Sequence, residues 1–272
     1  MTETLVLLWQ LPFLRDATLA ALLVALPCAL LSPFLVLKGY GLIGDAISHA
    51  VLPGVAIAYL VGLPVIVGAF VAGLGSALLT GWLDRRTRVK PDTLMGVVFA
   101  GMFATGLVLI AAFPTDVHLD HVLFGNLLGV GPADLWTAAA VAALVTGVIG
   151  LNWRDYLLHA FDLVQARAVG LPVRTMTYGL LAMIAAAVVS ALGAVGIVLV
   201  IALLITPGAI GFLLTRSFGA MILVSVAAAL LAALAGMILS VRVDAAPAAS
   251  IVLVLTGLFL AALALRRLRR SS

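Results

Sequence analysis

The sequence predicts an all-α polytopic membrane protein, and three observations carry that prediction. Hydrophobic residues make up 65% of the 272-residue chain and charged residues only 10%, whereas a soluble domain carries roughly a quarter charged residues. Mean hydropathy is +1.30. Apolar segments of about twenty residues, the length a helix needs to cross a bilayer, recur from one end to the other.

Taken in order, the residues up to Phe13 are apolar but too short to span, and read as an interfacial segment. The opening Met-Thr-Glu has no basic stretch and no small-residue cleavage site, so no cleaved signal peptide is expected. Spans are predicted at Asp16–Leu37, Leu42–Val61, Pro64–Leu83, Asp92–Ala112, Ala133–Leu151, Met176–Leu192, Gly196–Leu214, Ala220–Val241 and Ala248–Leu265. This makes about nine transmembrane helices. The break between the sixth and seventh rests on two glycines, and the count falls to eight if they form one broken element.

Charge gives these spans a direction. The loops on one side hold Lys38; Arg85, Arg86, Arg88 and Lys90; Arg154, Arg167 and Arg174; Arg216; and Arg266, Arg267, Arg269 and Arg270 in the tail. Only Arg15 and Arg242 fall opposite. By the positive-inside rule the basic side is cytoplasmic, so the N-terminus is predicted outside and the C-terminus inside. The net charge of +4 therefore reports topology and implies no nucleic-acid partner. The single cysteine, Cys28, can form no intrachain disulfide.

Asp92, after Pro91, is predicted to cap the fourth span. The outer connection that follows gathers Asp116, His118, Asp120 and His121. Acids and histidines in a loop read first as a solvated connection; the functional version is a shallow site that collects divalent cations, with Asp244 in the last outer loop as an addition. Val122–Gly129 is too short to span and fits a re-entrant or surface helix.

The stretch Lys38–Tyr59 carries the strongest chemical signal. Asp45 and His49 stand four residues apart, which in a helix places both side chains on one face. Two readings stand side by side. Asp45 lies near a helix start, where a carboxylate caps free N–H groups, and His49 would then be a packing residue. Against this, ionisable groups in a span are costly, about 2.5–3.5 kcal/mol for a central aspartate. Two of them on one face suit a cation pathway. Pro53 and Gly54 one turn later would kink the helix and admit close backbone contact, and Pro207 and Gly208 repeat the device in the seventh span.

The longest cytoplasmic loop is predicted at Asn152–Thr175. Phe161 to Pro172 within it reads as a short helix, stopped by Gly170, with Leu163, Ala166 and Val169 as an apolar stripe for a partner or the membrane surface. There is no Gly-x-x-x-x-Gly-Lys phosphate loop and no His-Glu-x-x-His. Glu3 is the only glutamate, and no nucleophile–base set is visible. Neither ATP hydrolysis within the chain nor another enzymatic activity is expected. The Gly73-Leu-Gly75-Ser76 run looks like helix packing.

With these residues in view, the run Leu37-Lys-Gly-Tyr-Gly-Leu-Ile-Gly-Asp45-Ala-Ile-Ser-His49-Ala-Val-Leu-Pro-Gly54 resembles the signature of bacterial ABC-transporter permeases for manganese, zinc and iron(II) uptake. The likeness continues through Asp92-Thr-Leu-Met-Gly96, Leu123-Phe-Gly-Asn-Leu-Leu-Gly129, Ala168-Val-Gly-Leu-Pro172 and Ala202-Leu-Leu-Ile-Thr-Pro-Gly-Ala209. It implies a type II importer permease filling residues 1–272 as one domain in the bacterial inner membrane. It implies as partners a separate cytoplasmic ATPase, an extracytoplasmic metal-binding protein and a second permease copy. Asp45 and His49 would match the pathway ligands for a transported Mn²⁺, Zn²⁺ or Fe²⁺, with no permanently bound cofactor. Asp162, Gln165, Ala166, Arg167, Gly170 and Leu171 would form the segment coupled to the ATPase. Asn126 stands where many relatives have aspartate, so it receives no metal role. A proton-coupled secondary transporter, with Asp45 and His49 as a proton relay, is the alternative of a different class.

Overall fold

Backbone polar groups have no water to bond in the bilayer core, so a spanning chain must satisfy them within helices. The computed structural model describes residues 10–84, 86–113 and 127–271, and among these every regular element is helical. In chain order they are α1 (Pro12–Lys38), α2 (Ile43–Ala50), α3 (Leu52–Val61), α4 (Val65–Asp84), α5 (Pro91–Ala112), a 3₁₀ turn (Leu127–Gly129), α6 (Pro132–Phe161), α7 (Leu163–Ala168), α8 (Val173–Val195), α9 (Ile197–Leu214), α10 (Phe218–Val243) and α11 (Pro247–Ser271). With α2 and α3 taken together, nine described segments are long and apolar enough to cross a membrane. Each coincides with a predicted span.

The break between the sixth and seventh spans is a single residue. Gly196 has φ +79° and ψ 167°, a conformation open essentially to glycine alone, and it ends α8 and starts α9. Nine elements, not eight, follow from that one backbone position.

α1 is apolar all round, as a helix surrounded by others must be, and is buried along most of its length. It packs against α6, α8, α9 and α10. α2 to α5 form a second group, joined to the first chiefly through α8. α5, α6 and α11 expose most of their surface.

Pro207 lies inside the continuous helix α9 rather than at a break. The Gly208 N–H, one residue on, donates to Ser32 Oγ of α1 at 2.8 Å, and that hydroxyl donates to the Ile205 carbonyl at 3.2 Å. Ser225 of α10 donates to the Pro207 carbonyl at 2.9 Å. Side chains from two neighbouring helices thus take up backbone groups around the proline, as kinked spans require. Pro207 and Gly208 therefore sit in a buried, hydrogen-bonded contact among three helices.

The segment read as a loop from Asn152 is largely helical. α6 runs to Phe161, with a departure from helical geometry only at Asn152 (φ −119°, ψ 16°). Thirty residues give about 45 Å of helix against a hydrocarbon core of about 30 Å, so α6 continues well beyond the membrane. Its end is pinned by His159, fully buried, whose Nε2 lies 2.8 Å from Thr177 Oγ1 on α8. α7 then starts at a true cap: Asp162 Oδ1 accepts from the Val164 and Gln165 N–H groups at 2.8 and 3.0 Å. It ends at Gly170 (φ +87°), beyond which the Leu171 N–H returns to the Ala166 carbonyl. The expected apolar stripe is not buried as a unit. Only Ala166 points inward; Leu163 and Val169 are exposed, as are Phe161 and Val164.

The cap expected at Asp92 and the capping alternative for Asp45 are both corrected. Lys90 is the N-cap of α5, with Pro91 and Asp92 inside its first turn, because proline needs no intrahelical donor and fits the first position. Leu42 is the N-cap of α2, and Asp45 makes no side-chain cap hydrogen bond.

Candidate functional site

α2 is short because its continuation is interrupted at Val51 and restarts at Leu52. Pro53 carries no N–H, so it cannot donate to the His49 carbonyl four residues back. Asp45 and His49 therefore lie on the turns immediately before a proline-weakened joint. That joint is held from several sides. Gly54 meets Gly68 of α4 so closely that a Cβ on either would run into the other's carbonyl. Leu52 packs on Gly106 of α5, and Gly44 of α2 lies against Leu204 of α9.

On this helix His49 Nε2 and Asp45 Oδ1 face each other at 3.4 Å, longer than a good hydrogen bond. Two ligands about 2.1 Å from one ion stand about 3.0 Å apart at neighbouring octahedral positions and about 3.4 Å apart in a tetrahedron. The 3.4 Å separation matches the tetrahedral spacing and is wider than the octahedral one. The pair is reachable as well, with side-chain exposures of 27% for His49 and 39% for Asp45.

The imidazole is positioned by aromatic rings. Phe99 and Phe103, one turn apart on α5, lie 5.1 and 5.4 Å from it between ring centroids. Its Nδ1 is buried and, among the described residues, has no hydrogen-bond partner. Metal-bound histidines usually donate this second N–H to a carboxylate or carbonyl, a bond whose loss typically costs about 10–100-fold in affinity. His49 is oriented by packing instead.

Sequence reasoning paired Asp45 with His49 correctly in space but missed Phe99 and Phe103. Two phenylalanines in an apolar run carry no polar signal, although their four-residue spacing would have placed them on one face. Pro53 and Gly54 fall at the joint beside the pair; Pro207 and Gly208 fall in the contact with Ser32 and Ser225. Asp116, His118, Asp120, His121 and Asn126 lie outside the described residues. Asp244 ends α10 with φ 53°, and among the described residues no group of three or more potential ligands could hold a metal ion. Asp162, Gln165, Arg167 and Gly170 are all exposed around α7, and Leu171 is half-buried.

The model of the ABC 3 transport family matches residues 10–266. The chain belongs to that family. Among its relatives, the chelated iron transport system membrane protein YfeD of Yersinia pestis is 46% identical, over 93% of this chain and 85% of its own length. The manganese transport system membrane protein MntB of a Synechocystis species is 42% identical over 93% and 83%. Among solved structures, PsaBC from Streptococcus pneumoniae in complex with Fab is 33% identical, with a TM-score of 0.83 over 96% of this chain and 94% of that one. A transporter described as of metal-chelate ABC type, in an inward-facing conformation, is 17% identical with a TM-score of 0.72 over 92% and 85%, a likeness of fold. The all-α multi-span architecture and the resemblance to ABC permeases for metal ions are both borne out. The chain is an ABC 3 family permease.

Proposed function

We propose that this ABC 3 permease carries a divalent transition-metal cation into the cytoplasm, with Asp45 and His49 as the ligands the ion meets on the way. The observation that carries this reading is the 3.4 Å carboxylate–imidazole pair, exposed on a helix inside a membrane bundle. One oxygen and one nitrogen donor suit Mn²⁺, Fe²⁺ or Zn²⁺ and offer no thiolate, the soft donor that selects Cu(I). Two ligands from one chain, with no second bond on His49 Nδ1, make a weak hold. A conduit needs a site favourable enough to enter and weak enough to leave. A second copy related by two-fold symmetry would raise the donor count to four. The named iron and manganese systems among the relatives support Fe²⁺ or Mn²⁺ as cargo.

The energy comes from a separate ATPase, because the chain has no phosphate loop of its own. Its docking point is α7 and the adjoining turn. Asp162 and Gly170 give that element fixed ends, Ala166 anchors it, and Phe161, Leu163, Val164 and Val169 stand uncovered beside Gln165 and Arg167. This face is cytoplasmic, on the basic side of the inner membrane, with the N-terminus outside and an extracytoplasmic binding protein delivering the ion opposite.

Transport in proteoliposomes tests the reading. With the ATPase and binding protein present, uptake of ⁵⁴Mn²⁺ or ⁵⁵Fe²⁺ should require ATP and persist in the presence of a protonophore. Uptake that needs no ATPase and collapses with the protonophore would instead establish the proton-relay mechanism.

A further inference from the structure

The end of α4 and the start of α8 meet at one end of the bundle. Gly81, in the last turn of α4, lies so close to α8 that a Cβ there would come within 2.6 Å of Leu181 and 3.9 Å of Tyr178. Just outside this crossing is an open groove of about 640 Å³, lined by Leu78, Leu79, Trp82, Arg174 and Tyr178. The guanidinium of Arg174 stands 6.0 Å from the centre of the Tyr178 ring, and that of Arg86 stands 4.6 Å from the centre of the Trp82 ring. Among the described residues neither arginine makes an ion pair. The nearby acid, Asp84, accepts a 3.4 Å hydrogen bond from the Tyr40 hydroxyl.

We propose that this groove binds an anionic phospholipid, with an acyl chain along Leu78 and Leu79 and the phosphate at Arg86 and Arg174. The groove lies between two membrane spans and ends in Trp82 and Tyr178, the residue types that settle at the headgroup level. Its occupant must be apolar along the helices and negative at that end. Basic pockets between spans recognise lipid headgroups in this way, and aromatic faces hold the guanidiniums in place without neutralising them. A zwitterionic choline lipid fills the groove equally, but its trimethylammonium offsets the attraction of its phosphate to the two arginines. Free phosphate lacks the chain. A second copy docked here about a two-fold axis would bring its own Arg86 and Arg174 against these, four like charges in one contact. The site stands on the membrane fold alone and holds whether or not Asp45 and His49 carry metal.

Native mass spectrometry of the full-length protein released from mixed micelles tests it. With dioleoyl phosphatidylglycerol and dioleoyl phosphatidylcholine at equal concentration, the anionic lipid should be retained with about tenfold preference. The double variant Arg86→Gln/Arg174→Gln should bring the two lipids to parity, with helix content unchanged by circular dichroism. Leu79→Trp, which fills the groove and keeps both arginines, should lose the bound anionic lipid too. Glycerol 3-phosphate, the headgroup without its chains, should not compete. Equal retention of the two lipids by the unaltered protein would overturn the proposal, as would a preference that survives the double variant. So would effective competition by glycerol 3-phosphate, which would mark a simple anion site. A change in monomer–dimer ratio in the double variant, with lipid retention unaltered, would assign the groove to contact between copies.

Discussion

Alanine at Asp45 or at His49 is expected to abolish metal uptake while leaving the permease assembled in the membrane. Each substitution removes a donor outright. The loss should therefore exceed the ~10–100-fold typical of removing a group that only supports a metal ligand. Neither side chain holds the fold: Asp45 makes no cap bond, and its only described partner is His49, at 3.4 Å. Truncating His49 also removes the ring that packs on both Phe99 and Phe103, a modest packing loss. Radioactive metal uptake in cells, normalised to permease in the membrane fraction, reads the effect. Uptake at the unaltered rate in both variants would remove the pair from the pathway.

Valine at Gly54 should be the most damaging single change to the bundle near the site. The Gly54–Gly68 crossing brings the α3 and α4 backbones together, and a side chain at Gly54 meets the Gly68 carbonyl and lies 2.5 Å from the Ala72 Cβ. Backbone atoms cannot rotate away, so the helices must separate. Overpacking of this kind costs about 1–3 kcal/mol, occasionally more. Alanine at Gly75 in the facing helix α4 is the control, because nothing among the described residues lies within 4 Å of a Cβ there. It should be neutral or stabilising by up to about 1 kcal/mol from helix propensity. The thermal midpoint in detergent is expected to fall for Gly54→Val and to hold for Gly75→Ala. Because α3 continues from the helix that bears Asp45 and His49, Gly54→Val should also lower uptake in proportion to the protein that remains.

Which parts of this protein are legible in its sequence follows from the range of the interactions involved. The nine spans are local facts, since each is an apolar run bounded by glycine, proline or charge. Even the doubtful division at Gly196 rests on one residue type in a backbone conformation that glycine alone adopts readily. Asp45 and His49 are likewise local, because helical periodicity alone puts them together. α6 beyond Asn152 escaped notice for the opposite reason. Once a helix leaves the membrane it keeps its backbone hydrogen bonds but loses its hydropathy, and Arg154 and Asp155 interrupt the apolar pattern. The hydrogen bonds of Ser32 around Pro207 join residues more than 170 positions apart, and no pattern in the chain announces them. The same holds for His159 and Thr177, and for the two phenylalanines over His49. The capping reading of Asp45, one of two the sequence left open, gives way because Leu42 takes the N-cap and Asp45 falls inside the first turn of α2.

In the proposed mechanism a transported cation is ligated by the imidazole of His49 beside the carboxylate of Asp45. Electron spin echo spectroscopy of Mn²⁺ bound to the assembled, nucleotide-arrested transporter tests it most directly, because a coordinated imidazole leaves a ¹⁴N modulation on the Mn²⁺ signal. This modulation is expected in the unaltered permease and lost in His49→Ala, while substitution of His118 and His121 leaves it in place. A nitrogen signal that survives in His49→Ala and vanishes with His118 and His121 would contradict this mechanism.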